Sequence, residues 1–232
     1  MSGFSFSSQK SFQIYKTKYQ KNFAIIPSAV NVNKFKKQNV KRLNLKKKIV
    51  VTVANISPVK NFECLVKSLK HTKVFFKDVH FLVVGATFSS QVSYKKKILD
   101  LVKKYNLKKN ISFLGKKNNV KKYLDKAMIY LCTSDFESSP VSIWEAMSME
   151  LPIVSTNVGD LKKYIKDNYN GYLVEKNDYI NISKKLSILI NDKKKLIQFG
   201  KINRNLVVDN FSTDIISKKT FNFYKLILNE YF

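Results

Sequence analysis

From residue 48 onward, short β-branched runs alternate with helical periods, and this alternation constrains the fold more than any other feature of the 232 residues. The strand-like runs cover residues 49–54, 79–84, 111–114, 129–133 and 153–155. They are nearly continuous in apolar character, as parallel strands covered on both faces must be. Helical spacing lies between them. Phe62, Leu65, Val66 and Leu69 fall at i, i+3, i+4 and i+7, and so do Ile98, Leu101, Val102 and Tyr105. Repeated β-then-α order predicts an α/β fold, a Rossmann-like parallel sheet flanked by helices and joined by right-handed crossovers. After Gly171 the chain reads as mostly helical, with one apolar face at Ile182, Leu186, Leu189 and Ile190. A second follows at Tyr224, Ile227, Leu228 and Tyr231, with Phe221 and Phe223 nearby. The expected division is an N-terminal extension over residues 1–47, a Rossmann-like domain over 48–208, and a closing helix over 209–232.

The formal charge of +27 raises nucleic acid as a partner. The kind of cation argues against it. Arg42 and Arg204 are the sole arginines among 43 basic residues, and lysine lacks the planar fork that reads guanine and grips phosphate at two points. The lysines are spread along the chain, and no recognisable RNA- or DNA-binding motif accompanies them. The basic surface therefore predicts solvation first, attraction to an anionic membrane leaflet second, and no specific nucleic acid. No apolar run approaches the length of a membrane span, and residues 1–20 lack the apolar stretch of a secretory signal. Cys64 and Cys132 fall in apolar runs far apart and read as buried thiols of a cytoplasmic protein; no zinc-ligand spacing is present.

In an open parallel sheet, ligands bind beyond the carboxyl ends of the strands. The first such end carries Asn55, Ser57 and Lys60 just before a helix, a lysine next to a helix N-terminus and so an anion site in outline. The Gly-Lys-Ser/Thr spacing of a P-loop is absent. A turn glycine, Gly85, follows the second strand, and Gly115 after the third would let backbone approach a flat ligand. The fourth end, residues 134–147, holds Glu137 and Glu145 around a helix start, with Ser139 as the expected cap and Pro140 as the first helical residue. On residue type alone two roles stay open. The carboxylates either favour the helix dipole and face water, or accept hydrogen bonds from a polyhydroxylated ligand.

The spacing of Glu137 and Glu145, with Ala146 and Met147 following, resembles the Glu–seven–Glu motif of retaining GT-B glycosyltransferases, family 4 in particular. The likeness continues through the 55–60 loop, Phe113-Leu114-Gly115, residues 151–159, residues 171–174 and the helix closing after Phe211 and Ser212. It covers the chain from about residue 22 to the end. It implies the C-terminal, donor-binding half of a GT-B fold, transferring sugar from a nucleotide-sugar donor to a glycan or lipid-linked acceptor with retention of configuration. By the same resemblance Lys60, beside Asn55, neutralises the donor diphosphate. Gly115 meets the base, Glu145 binds the ribose hydroxyls, and Glu137, the catalytic candidate, holds sugar hydroxyls near the anomeric carbon. Backbone N–H groups around Ser138, Ser139 and Val141 meet phosphate or sugar oxygens, and no metal or other cofactor is called for.

Three departures from the family pattern stand out. Asn55 replaces a usual Arg, Asp160 replaces the second glycine of a pair, and Lys163 stands where Glu is common. The family's N-terminal, acceptor-binding domain has no counterpart in residues 1–47, apart from a last strand and linker at 23–31. The resemblance thus implies a partner: a separate acceptor-binding domain, or self-association through an uncovered apolar face on the closing helix. Transfer by the chain alone is not expected. A non-catalytic nucleotide-sugar-binding remnant and a basic membrane-surface scaffold remain as alternatives. The expected location is cytoplasmic, with peripheral contact at the inner membrane surface.

Overall fold

A computed structural model describes residues 4–15, 23–38 and 47–229. The chain opens with a small unit: strand β1 (Phe4–Phe6), helix α1 (Gln9–Tyr15) and strand β2 (Phe23–Ile25), with β1 and β2 paired in parallel. The principal sheet follows. Its strands are β3 (Lys48–Val53), β4 (Val79–Val84), β5 (Ile111–Phe113), β6 (Ile129–Cys132), β7 (Ile153–Thr156) and β8 (Gly171–Val174). All pair in parallel, in the spatial order β5-β4-β3-β6-β7-β8. This is the doubly wound order, and it reverses direction between β3 and β6.

Period-two alternation sends successive strand residues to opposite faces. Val50, Ile129, Leu131 and Val154 join one core layer, under α2 (Phe62–Phe75), α3 (Val92–Lys104) and α7 (Tyr179–Asn191). Val51, Tyr130, Cys132 and Ile153 join the other, with α5 (Val141–Ser148) and the C-terminal part of α8 (Lys193–Phe211). Single-turn helices α4 (Lys121–Leu124) and α6 (Leu161–Tyr164) complete that side, and α9 (Thr213–Asn229) closes the chain. β6 is buried at every position, which is why it is apolar without alternation; β7 is equally buried, and the hydroxyls of its Ser155 and Thr156 donate to backbone carbonyls. Each fully buried Leu, Ile or Phe contributes about 1.5–3 kcal/mol.

The spacing of Phe62, Leu65, Val66 and Leu69 puts all four in the core on one face of α2. Two sequence expectations change. β8 is a sixth strand in a region read as helical. The boundary expected at 208/209 falls inside α8, and the break is at Ser212, whose extended backbone forms a bridge with Val30. On α9, the face that packs inward carries Ile216 and Phe223, whereas Phe221, Tyr224 and Leu228 are exposed. Tyr231 and Arg42 lie outside the described residues.

Arg204 explains itself structurally. Its Nη1 donates to Val32 O, Phe35 O, Ser148 O and Ser148 Oγ at 2.7–2.9 Å, tying the incoming chain to the end of α5. Both cysteines are free and buried, and burial pushes the Cys64 thiol up to about 12. No helix among the described residues is long and apolar enough to cross a membrane.

Candidate functional site

Because strand order reverses between β3 and β6, the loops that follow them diverge and leave a crevice at their carboxyl ends. Residues 54–61 and 133–140 face each other there. Asp135 N–H donates to Val59 O (2.8 Å), Thr133 Oγ1 to Lys60 O (3.0 Å), and Asn61 Nδ2 to Asp135 Oδ1 (3.0 Å). Tyr130 OH donates to Ser142 Oγ (2.8 Å) from beneath. The loop backbones are therefore fixed by directed bonds before any ligand arrives.

Lys60 and Glu137 meet in this frame. Lys60 Nζ lies 2.6 Å from Glu137 Oε1, and Ser134 Oγ donates to the same oxygen at 2.7 Å. Glu137 Oε2 accepts from no group among the described residues. The pair is mostly shielded, with side-chain exposures of 26% and 15%. Glu145, in the second turn of α5, is different. It is half-buried, with no hydrogen-bond or ion-pair partner among the described residues. Burial pushes its carboxyl up to about 7, opposed by Lys34. An unpaired half-buried carboxylate is costly to keep ionised and has full capacity to accept hydroxyl groups.

Beside these groups lies a pocket of about 350 Å³, lined by Asn55, Lys60, Ala86, Lys116, Lys117 and Val120 among others. Three lysines and no carboxylate line it, so it suits an anion. Gly115 immediately precedes the two lysines with φ of 70°, a left-handed turn, and a side chain there would meet open space. Lys116 and Lys117 escaped the sequence reading because nothing separates two lysines from so many others. A larger cleft, about 590 Å³ around Lys70, Lys77 and Asn110, opens at the amino ends of β4 and β5, the edge where this topology does not place ligands.

Other expected site residues take different roles. Helix α5 starts at Val141 with Pro140 extended at the cap position and no side-chain cap. Ser139 therefore does not cap. Its Oγ accepts from Ser28 N–H (2.9 Å) and Trp144 Nε1 (3.3 Å). The N–H groups of Val141 and Ser142 then have no intrahelical acceptor, whereas Ile143 N–H donates to Pro140 O at 2.9 Å. The anion site expected at the N-terminus of α2 is closed: Phe62 N–H donates to Tyr94 OH, and Cys64 N–H to the Asn61 side chain. Asn55 Oδ1 accepts from Ala86 N–H at 3.2 Å, bridging the loops after β3 and β4. Ser138 faces residues 7–11. No cluster of three metal-ligating side chains occurs among the described residues.

Comparison with known proteins places this crevice in context. The chain resembles a poly(ribitol-phosphate) α-N-acetylglucosaminyltransferase of Staphylococcus aureus, 26% identical over 76% of this chain and 35% of the relative. A second relative is the N-acetyl-α-D-glucosaminyl L-malate synthase of Bacillus anthracis, 27% identical over 79% of this chain and 46% of the relative. The chain thus spans a third to a half of the length of these curated relatives. Among solved structures, a C-terminal domain of a group 1 glycosyl transferase from Francisella tularensis superposes with a TM-score of 0.70 at 23% identity, over 79% of this chain and 99% of that one. The fold is one Rossmann-like half of the GT-B arrangement. The family model of the glycosyl transferases group 1 matches residues 33–206, a span that includes both crevice loops, both glutamates and the Arg204 anchor. Fold, crevice and family model agree: the chain belongs to the glycosyl transferases group 1.

Proposed function

We propose that this chain binds a nucleotide sugar at the β3/β6 crevice and supplies the donor half of a retaining glycosyltransferase. The observation that carries the reading is the pairing of opposites at one strand edge. A lysine-lined pocket free of carboxylates meets Glu137 through Lys60, and Glu145, a half-buried carboxylate without a partner among the described residues, stands on α5 after the same loop. A nucleoside diphosphate sugar has that polarity, with negative charge at the diphosphate and hydroxyl donors on the ribose and the sugar.

In this reading Lys60 exchanges Glu137 for a phosphate oxygen when donor enters, joined by the open N–H groups at the start of α5. Lys116 and Lys117 add positive charge from the β5 side, where Asn55 supplies none. Glu145 accepts the ribose hydroxyls, and Glu137, released from Lys60, turns both oxygens toward the sugar and orients its anomeric carbon. Departure of the diphosphate is then stabilised by fixed cations and backbone dipoles, with no charge left to bulk water. Several relatives are named for glycan assembly, among them the poly(ribitol-phosphate) α-N-acetylglucosaminyltransferase and a capsular polysaccharide biosynthesis glycosyltransferase of Staphylococcus aureus and a UDP-Gal:α-D-GlcNAc-diphosphoundecaprenol α-1,3-galactosyltransferase of Escherichia coli. We assign this chain to the same class of pathway, working at the inner face of the membrane on an acceptor held by a second domain.

Calorimetric titration with a panel of nucleotide sugars tests this. Saturable binding of at least one, with UDP or another nucleoside diphosphate competing, supports the reading. Absence of binding across the panel by folded protein removes it.

A further inference from the structure

The departure at Asp160 carries a role of its own. Helix α1 has seven residues and no buried side chain, too short to hold itself in water. Its N-terminus is nonetheless fully capped. Gln9 N–H donates to Asp160 Oδ2 (2.6 Å) and Lys10 N–H to Asp160 Oδ1 (3.3 Å), while Ser11 N–H donates to Ser8 Oγ (3.1 Å). Phe12 N–H makes the first intrahelical bond, to Ser8 O. Two of the three caps thus come from a residue about 150 positions away, whose negative charge also suits the positive end of the helix dipole. Lys163 Nζ holds the same carboxylate at 3.2 Å.

The helix so fixed rests on the loop of the site. The hydroxyls of Ser7, Ser8 and Ser11 lie 2.7, 3.1 and 2.8 Å from Ser138 Oγ, next in sequence to Glu137. From below, Gly159 supports the same loop. With φ of 57° it packs so closely that a Cβ there would stand 2.6 Å from Glu137 O. The Glu137–Ser138 backbone is clamped between the Gly159–Asp160 turn and α1, and Asp160 joins the two jaws.

We propose that Asp160 is a positioning residue for the sugar-facing side of the site: it anchors the β1–α1–β2 unit over the Glu137 loop and thereby fixes the Glu137 carboxylate. The inference rests on the reading of Glu137 as the carboxylate that faces the sugar. It makes the N-terminal unit a wall of the crevice instead of a linker.

The test compares Asp160→Gly and Asp160→Asn with the unaltered chain. Glycine removes both acceptors, whereas asparagine keeps one of the two. Amide hydrogen exchange over residues 9–15, read without ligand, should quicken about tenfold in the glycine variant and return toward normal in the asparagine variant. Calorimetry with UDP, UDP-glucose and UDP-N-acetylglucosamine should show UDP bound within about twofold of normal by Asp160→Gly, and whichever nucleotide sugar binds weakened about five- to tenfold, a loosened charge-assisted bond. Asparagine should rescue part of the second effect. Unchanged exchange over residues 9–15 in the glycine variant would overturn the anchor. Equal weakening of UDP and the nucleotide sugar, or none of either, would overturn the positioning role. The exchange arm decides the anchor even where the unaltered chain binds no nucleotide, a result that would count against the donor reading.

Discussion

The sheet domain and the N-terminal β1–α1–β2 unit are held by different forces. The domain buries two apolar layers, with Phe62, Leu65, Ile129, Leu131, Trp144 and Phe211 at 2% exposure or less. The unit buries little. Phe12 stacks on Phe23 with centroids 3.9 Å apart, but Ile14, Tyr15 and Phe23 remain exposed, and its grip on the rest of the chain is polar. Apolar burial is non-directional and spread over many residues, so the domain tolerates individual losses in its surface bonds. A few directed bonds give the opposite behaviour: one residue holds the start of an element, and that element touches the Glu137–Ser138 loop. The lowest-stability parts of a fold commonly carry the moving parts of its function.

The largest effect should come from the domain core. Leu131→Ala, at the centre of β6, should lower the free energy of unfolding by about 2–5 kcal/mol in chemical denaturation, whereas Phe12→Ala should cost about 1 kcal/mol or less. Equal costs would mean that the unit and the domain share one core, and the comparison fails. Lys60→Ala should weaken UDP by about one to two decades and leave uridine unaffected, because only the phosphates see the lysine. If uridine weakens equally, Lys60 shapes the loop and does not bind the diphosphate.

The next effect is a pH dependence. The Glu145 carboxyl has its folded value raised to about 7 from an ordinary 4.5, so the folded state holds the extra proton between those limits. Stability from this group is therefore present below pH 4.5 and is lost as pH rises through 7. Glu145→Gln should gain in melting temperature relative to the unaltered chain between pH 5 and pH 8. A constant difference across that range would show that the site is well solvated. Ser139→Ala should have a small effect, about 0.5–1.5 kcal/mol, since it removes the acceptor for Ser28 N–H and Trp144 Nε1. A cost near that of Leu131→Ala would show that the entry of the chain is part of the core.

Legibility in the sequence follows the same division. Where apolar burial decides structure, the pattern could be read: five of the strands and the buried faces of α2, α3 and α7 fall where periodicity puts them. β8 was missed because Gly171-Tyr172-Leu173-Val174 is a short run behind a polar turn, and its strand state depends on pairing with β7. α1 was missed because its periodicity buries nothing; long-range capping by Asp160 makes it a helix, and capping at that distance leaves no local signal. In the crevice, strand order placed Glu137 and Glu145 after β6, and the family resemblance singled them out. Their different states could not be read, since Lys60 reaches Glu137 only after β3 and β6 become neighbours. The shift of the α5 start from Pro140 to Val141 has a similar origin, because the Ser139 hydroxyl is engaged by Ser28 and Trp144.

In the proposed function, the unpartnered carboxylate of Glu145 receives the hydroxyls of a nucleotide. Calorimetric titration of UDP into the unaltered chain and into Glu145→Gln, at pH 7.5 with matched circular dichroism spectra, tests it most directly. The unaltered chain should bind, and the variant should lose about one to two decades in affinity, the value of a charge-assisted hydrogen bond. Equal UDP affinity in a folded Glu145→Gln would contradict it.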